Sequence, residues 1–489
     1  MRTIARRLRI PPSEKWVSVG LVLVISLFIA FTVKEVYSTE SLFSFDPYYH
    51  LHLSEITVER EGIVTALPTL NTTFRPNYLS AMIPFTAMIH ELTGIPFPSI
   101  YRNLGWIARV FTIILLFLAC RLLMGEGSVV PLLSVIAFLA SPYVLKRSVI
   151  TFPENMAVAF HAGLFHGMVR SWKEGRTSPL VPLFFTASLY VHYMSSLIPL
   201  LLLGLFLIAS RKAKTAVLLL TITLVLLLPI APYVLSQYRT YLKVNVGPGA
   251  TWKPYSIGPR YEVPSIDFYL SNLGSGLFLY SLLGLAAVIA FPSREGLIVA
   301  GWLLFALALS RGKQFGLYVP TDRMMMYLAL PSALSSAFAF RLLLRLAGRR
   351  LRVRLLLSIL VSLLLVTSFA QGLYGLKGWV GIKSELRQAA DLVNDLASPG
   401  SIIIPVNVDW FTVGIRRYSQ VYGITPEKLR EVCLSRDGVR EKFQELSGGR
   451  ETYIMVKDHP LSPPGAELLF EKEGIRIYRY PGITGDGET

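Results

Sequence analysis

Residues 17–33 read VSVGLVLVISLFIAFTV, an uncharged run behind the basic leader MRTIARRLRIPPSEKW. A run of this length suits the roughly 30 Å hydrocarbon core of a bilayer, and no soluble core demands it. A signal peptide would show a shorter apolar stretch and a small-residue cleavage site, and this run has neither. It is read as an uncleaved first span.

Further runs of the same kind follow. Besides 17–34, spans are expected at 105–123, 128–145, 155–171, 179–192, 194–209, 215–234, 274–291, 295–310, 324–342 and 355–377, with 179–209 also readable as one long helix. The fold class expected is therefore a polytopic α-helical membrane protein with about 11–13 transmembrane helices. Composition agrees: 53% of the 489 residues are hydrophobic and 16% are charged, against about 25% charged in soluble domains. Residues 78–93 are too short to span and read as an interfacial or re-entrant helix.

The net charge of +17 would suggest nucleic acid in a soluble protein. Here many basic residues flank apolar spans, so topology and anionic lipid account for them, and no nucleic-acid partner is expected. Two cysteines, Cys120 and Cys433, form no thiol or zinc motif. The Arg-rich leader places the N-terminus in the cytoplasm. Alternating the spans then puts RSWKEGRTS (170–178), RKAK (211–214), PSREG (292–296) and RLLLRLAGRRLRVR (341–354) on that same side, as the positive-inside rule requires. The loops 35–104, 146–154, 235–273 and 311–323 and the C-terminal tail fall outside. The chain thus divides into a transmembrane domain, 1–378, and a small extracytoplasmic α/β domain, 379–489. In the latter SELRQAADLVNDLA (384–397) has helical periodicity, while SIIIPVNV, ETYIMV and GIRIYRY read as strands.

The carboxylates beside the membrane carry the functional signal, because a charge near a bilayer costs about 2.5–3.5 kcal/mol. Asp46 lies in FSFDPYYHLHLSE, Glu154 in ITFPENMAVAFH, Glu262 and Asp267 in RYEVPSIDFYL, and Asp322 with Arg323 in VPTDRMMMYLALP. All fall on the predicted exterior face. Converging carboxylates repel one another, and a hard divalent ion, Mn²⁺ or Mg²⁺, would relieve this. Each taken alone also reads as an ordinary solvated loop acid; Asp46 is the exception, because DPYYH sets an acid, a turn-forming proline, two tyrosines and a histidine beside a membrane.

FDPYYHLHLSEI after the first span resembles the first acidic motif of the catalytic subunit of oligosaccharyltransferases, membrane glycosyltransferases of the GT-C superfamily. Glu154, 108 residues on, stands where that family has its second acidic motif. Tyr261–Ser265 lies where it has a loop glutamate, and the run from Asp322 to Pro331 is similar to its Arg-Phe-x-x-Tyr-x-x-x-Pro stretch. Two departures stand out. Asn155 and Met156 follow Glu154 where a second ligand is usual. The acceptor-reading Trp-Trp-Asp-x-Gly is replaced by NVDWFTVG (407–414), with Asp409 and Trp410 as its remnant.

The resemblance implies a polyprenyl (dolichyl-type) phosphate or diphosphate sugar donor and a protein or glycan acceptor. It implies Mn²⁺ or Mg²⁺ held by Asp46 and Glu154, and Arg323 on the lipid phosphate. Asp46 would act as base or acceptor-orienting group, supported by Glu262. His192 and Tyr193, at an exterior turn, are candidates for sugar or phosphate contact. Lys146 and Arg147 are cations on the side the positive-inside rule leaves poor, which points to an anionic ligand or to lipid headgroups. His50 and His52 flank Leu51, and one of them is expected to be solvated. His161 reads either as a polar interior group or as a core histidine. Tyr48 and Tyr49 read as interfacial aromatics, Arg416 and Arg417 as a solvated face, and Asn71-Thr72-Thr73 as a glycosylation sequon. Beside the oligosaccharyltransferase-like reading stand a GT-C enzyme moving a monosaccharide from polyprenyl phosphate to a hydroxyl, an inactive GT-C scaffold, and a transporter. The last lacks charges in mid-span or a broken-helix pair in repeated halves.

Overall fold

The computed structural model describes residues 12–38, 46–62, 80–125, 128–191, 197–210, 263–315, 321–347, 351–376, 384–406, 450–458 and 465–480, with short stretches between them. The chain is organised as two compact units. The first comprises residues 1–38, 80–82 and 102–379, and the second residues 39–79, 83–101 and 380–489.

The first unit is helical. Its described helices are α1 (Pro12–Val36), then α4 (Phe97–Met124), α5 (Val130–Leu139), α6 (Pro142–Ser148), α7 (Pro153–Glu174), α8 (Leu180–Val191), α9 (Leu197–Ser210), α10 (Ile266–Leu273), α11 (Ser275–Ala290), α12 (Arg294–Ser310), α13 (Thr321–Ala347) and α14 (Leu351–Leu376). Two shorter helices, α2 (Asp46–Glu59) and α3 (Met82–Thr93), precede α4. Among the described residues α1, α4 and α13 are long and apolar enough to cross a membrane, and two bent pairs, α5 with α6 and α10 with α11, qualify when each is counted as one span. The apolar parts of α8, α9 and α14 are shorter. They fall at the spans expected over 179–192, 194–209 and 355–377. The first two are separate helices rather than one long rod. The span expected at 215–234 lies largely outside the described residues.

Helix α13 is the hub. It packs against α11, α12, α5 and α7, and 72% of its apolar window is buried. Its length continues through Pro331, and its small residues Ser332, Ala333, Ser335, Ser336 and Ala337 are all buried. Small residues let helix backbones approach closely, which is how helices associate without a hydrophobic driving force between them. A Cβ on Gly284 of α11 would stand 1.9 Å from the Ser335 carbonyl oxygen, and Ser335 Oγ donates to the Ser281 carbonyl at 2.8 Å.

Two expectations are corrected by the bends. The single span at 128–145 is broken by 71° between α5 and α6. Ser141 is extended there (φ −66°, ψ 123°) and Pro142 opens the next helix, because a proline disfavours helical conformation in the residue before it. Asp267, expected in a loop, lies in the first turn of α10. That helix meets α11 at 110° through Gly274, whose φ is +83° and whose absent Cβ would stand 2.7 Å from Ser368 Cβ of α14.

The second unit contains α2, most of α3, helix α15 (Ser384–Leu396) and a four-stranded sheet. The strands are β1 (Ile402–Val406), β2 (Thr452–Lys457), β3 (Glu467–Lys472) and β4 (Ile475–Tyr480), in the order β1-β2-β4-β3. β1 and β2 are parallel, with Ile402 opposite Thr452, and the other pairings are antiparallel. Ile402, Ile404, Val406, Ile454, Val456, Tyr478 and Tyr480 share one core. On α15 the buried residues Leu386, Ala389, Ala390 and Val393 recur at helical spacing, and this helix packs on β4. β3, unforeseen from sequence, is joined to β4 by Glu473 and Gly474, both with positive φ (47° and 79°). That is the backbone of a two-residue hairpin turn, with glutamate in place of the usual asparagine or aspartate.

α2 places the DPYYH segment in a helix, not in a strand or loop. His50 and His52, on opposite sides of this helix, are both buried (0% and 6% exposed), where one was expected in solvent. His52 Nδ1 lies 2.9 Å from Glu55 Oε2, one turn on. Tyr48 is buried too, not interfacial: the Leu42 N–H donates to its hydroxyl at 2.9 Å, and the Arg387 guanidinium lies 5.2 Å from its ring centre.

Candidate functional site

Three helix ends of the first unit meet at one corner. α6 ends on Lys146 and Arg147, in its last turn. α7 begins after an extended Phe152 (φ −130°, ψ 151°), with Pro153 and Glu154 in its first turn. α13 begins at Thr321 and carries Asp322 in its first turn. Proline at the first helical position has no N–H to leave unpaired. Carboxylates at helix starts and cations at helix ends also agree with the helix dipoles.

The four charged side chains pair crosswise. Arg323 Nη1 stands 3.3 Å from Glu154 Oε1, and Arg147 Nη2 stands 3.6 Å from Asp322 Oδ2. Neighbours on α13 thus reach back to the two ends of one turn. The Arg147 guanidinium is further held by stacking: its Cζ lies 4.2 Å from the Phe152 ring centre, and its Nε donates to Tyr143 Oη at 2.9 Å. Both ion-pair distances exceed the 2.7–2.9 Å of a charge-assisted hydrogen bond. Lys146 precedes Arg147 in the same turn, so three cations and two carboxylates gather here among the described residues.

Asn155 accounts for the departure noted after Glu154. Its Nδ2 donates to the carbonyls of Arg147 (2.9 Å) and Ile150 (2.6 Å). Its Oδ1 accepts from Arg109 Nη2 at 2.9 Å. Arg109, within α4, is fully buried and was not singled out from sequence. A lone arginine inside an apolar run was the available signal.

A divalent ion needs several oxygen ligands. Here Glu154 already faces Arg323, Asp322 faces Arg147, and the Asn155 amide is engaged on both sides. Among the described residues no three His, Cys, Asp or Glu side chains stand together. Of the two ligands that the resemblance implies, Glu154 lies at this corner, while the Asp46 side chain lies outside the described residues.

The remaining expected residues fall elsewhere. Asp46 is the first residue of α2, in the second unit, and its side chain lies outside the described residues. Glu262, His192, Tyr193, Asp409, Trp410, Arg416, Arg417 and Asn71 also lie outside them. Asp267 is exposed and does not join the corner. His161 is buried in α7 between Tyr327 (5.8 Å between ring centres) and Trp302 (6.5 Å).

No protein-family model matches this chain, and no curated protein matches it in sequence. Solved structures do match in fold. The oligosaccharyltransferase of Archaeoglobus fulgidus in its apo form aligns with a TM-score of 0.66 at 12% identity, over 90% of this chain and 69% of that one. Other structures of it hold an inhibitory peptide with dolichol-phosphate, or Zn and sulfate. ArnT from Cupriavidus metallidurans aligns with a TM-score of 0.62 at 13% identity, over 94% of this chain and 98% of that one. It has also been seen bound to undecaprenyl phosphate. The mycobacterial arabinofuranosyltransferase AftD aligns with a TM-score of 0.63 at 13% identity, over 97% of this chain but 40% of its own length. The chain thus shares its fold with these solved transferase structures, among them one of the kind that the motif resemblance implied.

Proposed function

We propose that this protein is a membrane glycosyltransferase that takes a sugar from a polyprenyl phosphate or diphosphate and seats the lipid phosphate between Arg147 and Arg323. The observation that carries this reading is the crosswise pairing of Arg147 with Asp322 and Arg323 with Glu154. Planar guanidinium groups suit phosphate oxygens, which they can bind in pairs. The two carboxylates hold the arginines in place at distances long enough for a phosphate to compete. As the bond between sugar and phosphate breaks, negative charge grows on the phosphate, and guanidinium groups already in position stabilise it. A cavity of about 320 Å³ supports the reading. Phe28, Phe31, Leu145, Val366 and Phe369 are among its apolar lining residues, and Leu145 directly precedes Lys146 and Arg147. An isoprenoid chain lying there would bring its phosphate to the cations.

The DPYYH motif favours the oligosaccharyltransferase-like branch, with an asparagine acceptor and Asp46 as its orienting group or base, supported by Glu262. A second branch, transfer of a monosaccharide to a hydroxyl, is favoured by extent: the chain matches nearly the whole of ArnT. The test uses the purified full chain in detergent with a polyprenyl-linked sugar pool and a fluorescent Asn-x-Thr peptide, with and without Mn²⁺ or chelator. A peptide gel shift lost in Arg323→Ala and Asp46→Ala supports the first branch. Donor consumption dependent on Arg323 without a shift supports the second. No donor consumption across several pools overturns the reading, and insensitivity to chelator removes the metal from it.

A further inference from the structure

Arg109 and Asn155 do nothing in the reaction as drawn above, yet their chemistry is specific. The Arg109 guanidinium is completely buried. Nη2 meets Asn155 Oδ1 at 2.9 Å and Met326 Sδ at 3.0 Å, and Cζ lies 5.4 Å from the Phe138 ring centre, within cation–π range. Nε and Nη1 have no hydrogen-bond partner among the described residues. A cation in so dry a place is costly and calls for a reason.

Asn155 supplies one. Only a carboxamide can accept from a guanidinium on one atom while donating twice from the other. It joins Arg109 to the carbonyls of Arg147 and Ile150, the backbone of the turn from Arg147 to Glu154. One helical turn before Arg109, the Gly105 N–H donates to Thr151 Oγ1 at 2.8 Å. α4 therefore grips the turn at two points spaced i, i+4. Aspartate at 155 would keep the contact with Arg109 and set a carboxylate against two carbonyl oxygens.

We propose that Arg109 and Asn155 form an internal clamp that holds the turn between Arg147 and Glu154, and so sets the spacing of the phosphate seat. Both are positioning residues, and neither touches substrate. The proposal rests on the function proposed above for its catalytic consequence, while its structural part stands alone.

Two readouts on the full chain in detergent separate the two. The first is hydrogen exchange of the 147–155 segment in Asn155→Ala, Asn155→Asp and Arg109→Gln, with Arg109→Lys as the conservative variant. The clamp predicts at least tenfold faster exchange there, unchanged exchange in α11 and α12, and partial recovery in Arg109→Lys. The second is the KM for a polyprenyl-phosphate sugar donor. About a tenfold rise with kcat within threefold of wild type is expected, and Arg147→Ala should abolish the further effect of Asn155→Ala. Unchanged exchange in all four variants overturns the clamp, as does loosening of every helix equally. Faster local exchange in a protein that consumes no donor keeps the clamp and sinks the assigned function. Faster local exchange with unaltered donor KM overturns its link to the phosphate seat.

Discussion

Arg479 lies 2.7 Å from Glu451 at the C-terminal sheet, whereas Arg323 stands 3.3 Å from Glu154 and Arg147 3.6 Å from Asp322 where three helices end. The shorter pair is the wetter one: the Arg479 side chain is 41% exposed, against 18% for Arg323 and 4% for Glu154. In water such a pair contributes about 0–1 kcal/mol, because solvent screens it and ordering two side chains costs entropy. Out of water the same charges are hard to leave alone, and removing one partner is expensive. Distance alone therefore misranks these sites. The close pair ties the end of β4 to the start of β2, and the loose pairs are the ones proposed to receive an anion.

The largest expected effect breaks the loose corner. Arg323→Ala should lower transfer by about 100- to 1000-fold, the loss of roughly 2.7–4 kcal/mol of charge stabilisation, in protein that stays monodisperse on size exclusion. Near-normal turnover there would make the corner no more functional than Arg479. Next comes the packing that carries α13. Gly284→Ala drives a Cβ into the Ser335 carbonyl and should cost about 1–3 kcal/mol of stability through overpacking, read as a lower midpoint of thermal unfolding in detergent. An unchanged midpoint would show that α11 and α13 are not in close register. Glu154→Gln keeps the shape of the side chain and removes its charge. A tenfold rise in donor KM, about 1.4 kcal/mol, is expected from a wrongly held Arg323, and a lowered KM would mean the carboxylate competes more than it positions.

The smallest effect belongs to the sheet. Burial raises the proton affinity of Glu451, but hydrogen bonds from Ser401 and Arg479 outweigh it and hold the carboxyl below its usual range. A depressed native value means that the stabilisation is present above the unfolded value of about 4.3 and is lost as pH falls through the native one. Glu451→Gln should cost about 0–1 kcal/mol at neutral pH and flatten the decline in stability below about pH 4.3. A larger neutral-pH loss, followed by unfolding of the sheet, would erase the contrast between the two regions.

Reading from sequence reached the helices with long apolar runs and the residues Glu154, Arg147 and Arg323, because charges next to apolar stretches stand out one at a time. It missed the break at Ser141–Pro142, where local proline chemistry interrupts an apolar run. It also missed β3, whose alternation is weak and whose turn uses glutamate before glycine. His50 and His52 were misjudged because positions two apart point to opposite sides of a helix, and α2 is covered on both sides by packing that a five-residue motif does not reveal. Asn155 looked like a lost ligand, since its partners Arg109 and the 147 and 150 carbonyls lie behind it in space.

What the amino-acid sequence determined alone is the class of the molecule: apolar runs long enough for a bilayer, a tail of helix and strands, and a few charges in costly places. Hydrophobic periodicity is local, so it can be read along a chain. Which charge faces which was decided only by the tertiary structure. Arg323 meets Glu154 across 169 positions, and Arg109 meets Asn155 across 46, because helix packing brings those ends together, and no local pattern encodes the partner at the far end.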